Sequence, residues 1–165
     1  MDNKILYEVY NNIYVNLTNR CPCACVFCLR NTKDRVGRSD SLWLDKEPTV
    51  QEVEALFAER DLSKYQEVVF CGFGEPTERL DDLLEIAAFV KEKFGKPIRL
   101  NTNGLGDLVN GKHIAPLLAG KVDIVSISLN TPNEARYMAE VRPKFGKGSY
   151  AALLSFASEC TKYVP

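Results

Sequence analysis

The sequence predicts an α/β fold built on a parallel β-sheet. Two patterns and the chain length support this: short apolar runs alternate with segments of helical periodicity, the ends of these runs are polar, thiol-bearing or glycine-rich, and the chain has 165 residues. Strands joined through helices pair in parallel. Because a full (β/α)8 barrel takes about 250 residues, or roughly 31 per unit, this chain holds only about five such units.

The chain begins with a predicted β-hairpin. Residues 5–10 and 13–17 are β-branched and aromatic runs around an Asn-Asn pair, which adopts turn conformations. Helical spacing begins after Thr49, a predicted N-cap, with apolar residues at Val50, Val53 and beyond. This segment is the first predicted long helix.

Strands and helices then alternate to the end of the chain. The further predicted strands are 67–71, 98–100 and 123–129, and the further predicted helices are 79–94, 108–118, 133–141 and 149–162. The sheet therefore contains about four parallel strands plus an N-terminal hairpin strand. No linker interrupts the sequence, so we expect one domain over residues 1–165.

The composition excludes several classes of protein. There are 21 Lys+Arg and 22 Asp+Glu residues, a net charge of −1, which argues against binding nucleic acid through its phosphate backbone. No run approaches the about 20 apolar residues of a membrane span, and the first ten residues have no apolar signal-peptide core. We therefore expect a cytoplasmic protein that does not contact a membrane.

The four parallel strands end in segments suited to ligand binding. Ligands of parallel α/β folds bind at the carboxyl ends of the strands, where loops are free of the packing that fixes the sheet. The segments in question are 18–28, 72–77, 101–104 and 128–130. We predict that they assemble one site at one edge of the sheet.

Four of the six cysteines lie within residues 21–28. This crowding does not suit a spaced disulfide framework and suits a soft metal centre. A structural zinc site would need a second Cys or Cys/His half, which the sequence lacks. A two-cluster ferredoxin would contain a Cys-x2-Cys-x2-Cys-x3-Cys run twice, and this run does not occur even once. Cys21, Cys25 and Cys28 supply three thiolates for an iron–sulfur cubane with one open iron, whereas Cys23 lies outside this spacing. The alternative is a non-catalytic iron–sulfur or zinc-binding protein.

This Cys-x3-Cys-x2-Cys loop resembles the signature of the radical S-adenosylmethionine (radical SAM) enzymes. Phe27 supplies the aromatic residue before the last cysteine, and residues 73–76 match the Gly-Gly-Glu-Pro motif at the end of the next strand, with Phe73 replacing its first glycine. Segments 16–21, 42–44, 71–77 and 100–104 further resemble the small subfamily associated with TatD-type nucleases.

The resemblance implies a fold and a reaction. The fold is a partial (β/α) barrel of the radical SAM type, and four parallel strands make a minimal or truncated version of the usual six-stranded core. Cys21, Cys25 and Cys28 would hold a [4Fe-4S] cluster whose open iron is chelated by S-adenosylmethionine. Reductive cleavage would give methionine and a 5'-deoxyadenosyl radical that abstracts hydrogen from an unknown substrate. A reducing partner such as a flavodoxin or ferredoxin is also implied.

The same resemblance assigns residues to S-adenosylmethionine. Gly74 lets the backbone approach the ligand and adopt a positive φ, and Glu75 either accepts from the methionine ammonium or orders the turn and caps the following helix. Phe27 packs against the cluster or lies near adenine. Ribose hydroxyls and the methionine carboxylate are assigned to Asn101, Asn103, Ser128 and Asn130, with a simple Asn-Gly turn as the alternative for Asn103.

The last predicted strand presents an apolar edge over residues 124–129. An uncovered edge of this kind pairs with other chains. We expect a helix to fold over it, a second copy of the chain to cover it in a homo-oligomer, or the isolated chain to aggregate.

Overall fold

A computed structural model describes residues 3–37 and 39–165, so Met1, Asp2 and Arg38 of the predicted domain lie outside the described part. The described chain forms a five-stranded sheet in which the strands follow one another in chain order. They are β1 (Leu6–Val9), β2 (Asn12–Val15), β3 (Val68–Phe70), β4 (Ile98–Thr102) and β5 (Ile124–Ile127).

The sheet has the predicted composition of four parallel strands and one hairpin strand. β1 pairs with β2 in antiparallel register, with Leu6 opposite Val15. The pairs β2–β3, β3–β4 and β4–β5 are all parallel, and Phe70 lies opposite both Val15 and Leu100. This arrangement is that of a partial (β/α) barrel, and it brings the carboxyl ends of β2 to β5 to one edge.

Six α-helices connect or follow the described strands. They are α1 (Val50–Ala58), α2 (Leu80–Phe94), α3 (Gly106–Asn110), α4 (Ala115–Leu118), α5 (Glu134–Val141) and α6 (Ser149–Tyr163), with short 3₁₀ helices at Leu29–Asn31, Leu62–Lys64 and Pro76–Arg79. The N-cap of α1 is Thr49 as predicted, because its side-chain oxygen accepts from the Glu52 N–H at 3.1 Å.

The predicted helix over 108–118 is wrong as a single element, since two short helices stand in its place. Gly111 has a φ of 65°, in the left-handed region that ends a helix, and it caps α3. The carboxylate of Asp107 then accepts from the N–H of Ile114 at 2.9 Å, which turns the chain into α4. The apolar residues therefore keep their helical spacing over the whole segment, although the helix itself is interrupted at Gly111.

The main hydrophobic core lies between the sheet and helices α1, α2, α4 and α6. Alternate strand residues such as Val15 and Phe70 point into this core and are fully buried. The other face of the sheet carries a smaller cluster of Tyr7, Leu42 and Phe73. These three residues are buried, and the candidate site lies at the carboxyl edge of the sheet.

β5 forms one edge of the sheet and pairs with β4 alone in the described part of the chain. Its Val125 and Ile127 side chains are half-buried against the core that contains Phe156 and Cys160 of α6. One face of the strand is therefore covered by a helix, and coverage of the strand by a second copy stays a prediction. Among the residues described, no helix combines the length and apolarity needed to cross a membrane.

Candidate functional site

The carboxyl ends of β2 to β5 surround one cavity of about 210 Å³. All ten residues that the sequence assigns to metal or cofactor binding line this cavity. They are Cys21, Cys25, Phe27, Cys28, Gly74, Glu75, Asn101, Asn103, Ser128 and Asn130. Parallel strands that end at one edge place their loops together, so the four polar strand ends form one site. The part that each residue takes in binding stays a prediction.

Arg30 fixes the cysteine loop, which we define as residues 18–31. Its guanidinium donates hydrogen bonds to the carbonyl oxygens of Asn19 at 3.2 Å and Cys23 at 3.3 Å. It also donates to the carbonyl oxygen of Phe73 at 3.4 Å, at the end of β3. Because one planar group bonds three carbonyls, the start and middle of the loop are tied to the neighbouring strand end.

The end of α5 holds the cysteine loop from the opposite side. The N–H of Ala24 donates to the carbonyl oxygen of Val141 at 3.1 Å, and the N–H of Val26 donates to that of Glu140 at 2.9 Å. These carbonyls belong to the last turn of a helix and have no partner within it. The loop therefore supplies hydrogen-bond donors to the free carbonyl groups at the end of α5, and this helix forms one wall of the cavity.

The four thiols of the loop have different surroundings. Cys21, Cys25 and Cys28 are half-buried at the cavity, whereas Cys23 is only 5% exposed. Cys23 packs in a second apolar cluster, whose other buried members are Leu105, Tyr137, Val141 and Leu153. The three cysteines with the predicted ligand spacing are thus the more exposed ones, and Cys23 is buried in the apolar cluster although it also lines the cavity.

Contacts among the thiols shift their pKa values in opposite directions. A hydrogen bond with the Cys23 thiol lowers the pKa of Cys21, and the same kind of contact lowers the pKa of Cys25 to about 7. The pKa of Cys23 is raised by its hydrogen bonds with these two thiols. Metal ligands must be thiolates. These contacts therefore favour the thiolate form more at Cys21 and Cys25 than at Cys23.

The sulfur donors at the cavity are of the type that an iron–sulfur centre uses. Within the described ranges, no group of three or more Cys, His, Asp and Glu side chains is close enough to surround one metal ion. A cubane has its irons at separate corners, so the thiolates that bind it stand further apart than those around one zinc. Cys21, Cys25 and Cys28 would supply the three thiolates of a cluster with one open iron.

Gly74 is required by close backbone contacts. A Cβ at this position would overlap the carbonyl groups of Thr18 and Arg20. The approach allows the N–H of Glu75 to donate to the carbonyl oxygen of Arg20 at 2.7 Å. The expected positive φ at Gly74 is wrong, since its backbone is not in the left-handed region. Its role is to let two strand-end loops touch.

The neighbouring positions explain why phenylalanine replaces the first glycine of the motif. The close contact is instead made at Gly72, where a Cβ would overlap the side chain of Asn16. Phe73 is buried and packs against the Trp43 ring, with centroids 5.0 Å apart and planes at 65°. Its side chain thus packs on the second face of the sheet, in the cluster with Tyr7 and Leu42.

Glu75 is a buried acceptor that joins β3 to β4. One carboxylate oxygen accepts from the hydroxyl of Thr77 at 2.8 Å and from that of Thr102, and the other accepts from the N–H of Asn103 at 2.9 Å. Glu75 is also the N-cap of the 3₁₀ helix that follows. Burial raises the pKa of its carboxyl, while these hydrogen bonds oppose that effect. The turn-ordering role is thus present, and binding of an ammonium stays a prediction.

Asn101 and Asn103 point polar groups at the cavity. The side-chain oxygen of Asn101 is buried and has no hydrogen-bond partner among the residues described. The side-chain oxygen of Asn103 accepts from the Leu105 N–H at 3.0 Å, and its amide nitrogen lies 3.8 Å from Sγ of Cys21 and 3.6 Å from Sγ of Cys23. Asn103 therefore both forms the turn and faces the sulfur atoms, while Asn101 offers an unused acceptor.

The end of β5 and the cysteine loop supply the remaining predicted residues. Ser128 and Asn130 are exposed at the cavity, and Asn130 has a φ of 64°. Ser126, which shares a face with Ser128 by strand alternation, is not among the described cavity residues. Phe27 lies at the cavity with 48% of its surface exposed.

Sequence reasoning missed one wall of the cavity. Tyr137 and Val141 of α5 line it together with Thr102 of β4. The two helix residues are four positions apart and so share one face, a signal that sequence reasoning did not use. Burial raises the pKa of Tyr137, and its hydroxyl therefore remains protonated.

Comparison with known proteins agrees with this geometry. The family model described as the radical SAM superfamily matches residues 15–165. GTP 3',8-cyclase of Corynebacterium glutamicum is 31% identical over 152 residues, which cover 85% of this chain and 37% of that protein. Fe-coproporphyrin III synthase of Methanosarcina barkeri is 30% identical over 148 residues, covering 88% of this chain and 32% of that protein.

Fold and site define an α/β protein with a thiol-lined cavity at the carboxyl edge of a parallel sheet. With the family match over residues 15–165, the chain belongs to the radical SAM superfamily. This is an enzyme family that uses a [4Fe-4S] cluster and S-adenosylmethionine. The chain spans about a third of the length of the curated relatives, 37% and 32%. Its kinship with the TatD-associated subfamily stays a prediction.

Proposed function

We propose that this chain is the core of a radical SAM enzyme that cleaves S-adenosylmethionine reductively. The observation that supports this most directly is the convergence of Cys21, Cys25 and Cys28 with the ends of β3, β4 and β5 around one cavity. The chemistry requires a cluster and a cosubstrate to share one site, and the convergence of four strand ends on one cavity supports such a site.

The three accessible cysteines would hold the cluster as thiolates, as their spacing and exposure favour. When bound, a [4Fe-4S] cluster supplies the electron that cleaves S-adenosylmethionine to methionine and a 5'-deoxyadenosyl radical, which abstracts hydrogen from a substrate. The electron would come from a reduced flavodoxin or ferredoxin. The protein's own contribution is to orient the reactants and exclude water.

The polar residues at the strand ends would orient the cosubstrate. The unused acceptor of Asn101 and the carboxylate of Glu75 are suited to donors such as an ammonium or a ribose hydroxyl. Ser128 and Asn130 would bond the ribose or the methionine carboxylate from the end of β5, and Phe27 would pack at the cavity mouth. The backbone at Gly74 would approach the cosubstrate, while the absence of a side chain lets this strand end touch the carbonyl groups of Thr18 and Arg20.

The test is anaerobic reconstitution with iron and sulfide, followed by reduction in the presence of S-adenosylmethionine. We expect methionine and 5'-deoxyadenosine in equal amounts, detected by mass spectrometry. A protein that binds a [4Fe-4S] cluster but produces no 5'-deoxyadenosine would reject the proposed cleavage and leave the alternative of a non-catalytic iron–sulfur protein.

Two cysteine variants test the ligand assignment. Cys25→Ala should lose the cluster, whereas Cys23→Ala should keep it, because Cys23 lies in an apolar cluster. Cys160→Ala in α6 is the matched control for removing a buried thiol. Loss of the cluster from Cys23→Ala but not from Cys160→Ala would reject the three-cysteine assignment.

A specific substrate is not part of the proposal. The name of one relative refers to GTP and that of the other to coproporphyrin, and each matches this chain at about the same identity, 31% and 30%. The two names differ in the compound they mention, so the relatives single out no substrate for this chain.

A further inference from the structure

Tyr137 lines the cavity and carries a buried hydroxyl that has no partner among the described residues. The residue is only 1% exposed, and its hydroxyl oxygen is buried without a hydrogen-bond partner among the residues that the structure describes. An unsatisfied buried polar group costs about 1–3 kcal/mol. Such a group in a native structure calls for an explanation, and one explanation is a partner that enters the cavity.

The position of Tyr137 is fixed by both ends of α5. Asn133 caps the start of the helix by accepting from the Arg136 N–H at 2.9 Å. The carbonyl oxygens of Glu140 and Val141 accept from the cysteine loop at the other end. The hydroxyl is therefore held in a constant position relative to the loop that carries the thiols.

The thiols of the cysteine loop lie close enough to Tyr137 to act on its hydroxyl electrostatically. Cys21, Cys23 and Cys25 belong to the same packed cluster and line the same cavity. The ring of Tyr137 also packs against Tyr150, with centroids 5.2 Å apart and planes at 53°. The Tyr137 hydroxyl is thus a donor without a partner among the described residues, in the same cluster as three cysteines.

We propose that Tyr137 donates a hydrogen bond to the sulfur shell of the iron–sulfur centre and raises its reduction potential. The inference rests on the proposed function, since it presupposes a cluster at Cys21 and Cys25. Hydrogen bonds to the sulfurs are among the features that set the potential of such clusters. Reduction adds negative charge to the sulfurs, so a donated hydrogen bond is stronger in the reduced state.

The variant Tyr137→Phe removes one oxygen atom and keeps the ring. We expect the equilibrium constant for reduction of the cluster to fall about tenfold, which for a one-electron couple lowers the midpoint potential by about 59 mV. The measurement is a potentiometric titration of the reconstituted protein followed by electron paramagnetic resonance. Thermal melting of the apo-protein is a second readout: without a cluster the hydroxyl has no partner to lose, so Tyr137→Phe should melt no lower than the wild type.

Tyr150→Phe is the matched control, because Tyr150 packs on the same ring and is not among the described residues that line the cavity. Its potential should equal that of the wild type. An unchanged potential in Tyr137→Phe, an equal shift in Tyr150→Phe, or a lower melting temperature of apo Tyr137→Phe would each overturn the inference. Failure of the wild type to bind any cluster would instead reject the proposed function, so the two failures are distinct.

Discussion

The carboxylate of Glu75 accepts a hydrogen bond from the backbone N–H of Asn103 at 2.9 Å, and this contact joins the ends of β3 and β4. Asn103 in turn directs its amide nitrogen at Sγ of Cys21, 3.8 Å away. The three residues come from three different strand ends. The position of the cysteine loop therefore depends on a carboxylate in the neighbouring turn.

Glu75→Gln should destabilise the apo-protein. Four donor groups face the carboxylate, from Thr77 N–H, Thr77 hydroxyl, Thr102 hydroxyl and Asn103 N–H. A glutamine offers one acceptor oxygen and places an NH2 group against one of these donors. Removal of a buried charge offsets part of this loss, so we expect a net decrease of about 1–2 kcal/mol in the free energy of unfolding, measured by urea denaturation.

Glu85→Gln is the control for this change, because Glu85 is an exposed glutamate on α2. Its effect should stay within about 0.5 kcal/mol. Equal stabilities of the Glu75 and Glu85 variants would show that the carboxylate network does not hold the strand ends together.

Gly74→Ala should destabilise the protein more strongly. The added Cβ would meet the carbonyl groups of Thr18 and Arg20, which are backbone atoms and have no rotamer to change. The loops would have to separate, which weakens the hydrogen bond from Glu75 to Arg20. We expect a loss of about 3 kcal/mol in the free energy of unfolding and reduced binding of iron on reconstitution.

Gly111→Ala separates steric overlap from glycine's conformational freedom. Gly111 has a φ of 65° and nothing within contact distance of an added Cβ. Its cost should be about 1 kcal/mol, the price of the left-handed conformation alone. A Gly74 variant as stable as the Gly111 variant would contradict the close approach of the two loops.

Local signals explain why much of the fold was predictable from the sequence. Thr49 before an amphipathic segment is sufficient to start α1, and the apolar runs at β3 and β5 contain the strands that form. Since the carboxyl ends of parallel strands meet at one edge, even a coarse assignment of the strands brought the predicted residues to one cavity.

Contacts between distant segments were beyond sequence reasoning. Nothing near Tyr137 in the chain indicates that α5 packs on the cysteine loop, because the hydrogen bonds that place it come from Ala24 and Val26. The positive φ expected at Gly74 failed for the same reason: the constraint there is a tertiary contact with Thr18 and not a local turn. The break at Gly111, by contrast, follows an asparagine and had a local signal.

Arg30→Lys should loosen the cysteine loop. A lysine keeps the charge but has no planar fork, and it cannot bond the carbonyl oxygens of Asn19, Cys23 and Phe73 together. We expect a loss of about 1–2 kcal/mol in the free energy of unfolding and faster hydrogen exchange in residues 18–31. Arg35→Lys, at an exposed arginine outside that range, should change neither quantity. Equal exchange rates in the two variants would show that Arg30 does not fix the loop.

Asn103→Asp should weaken cluster binding while leaving the turn intact. In the wild type the side-chain oxygen of Asn103 accepts a hydrogen bond from the Leu105 N–H at 3.0 Å. The aspartate retains an oxygen that can accept this bond. It replaces the amide donor near Sγ of Cys21 and Cys23 with a negatively charged oxygen, which repels thiolates. We expect about tenfold weaker retention of iron, measured as the rate of iron release to a chelator from the reconstituted protein.

The matched control is Asn133→Asp, which adds the same charge at the exposed N-cap of α5, where aspartate caps as well as asparagine does. Equal rates of release from the two variants would mean that the amide of Asn103 serves the turn alone.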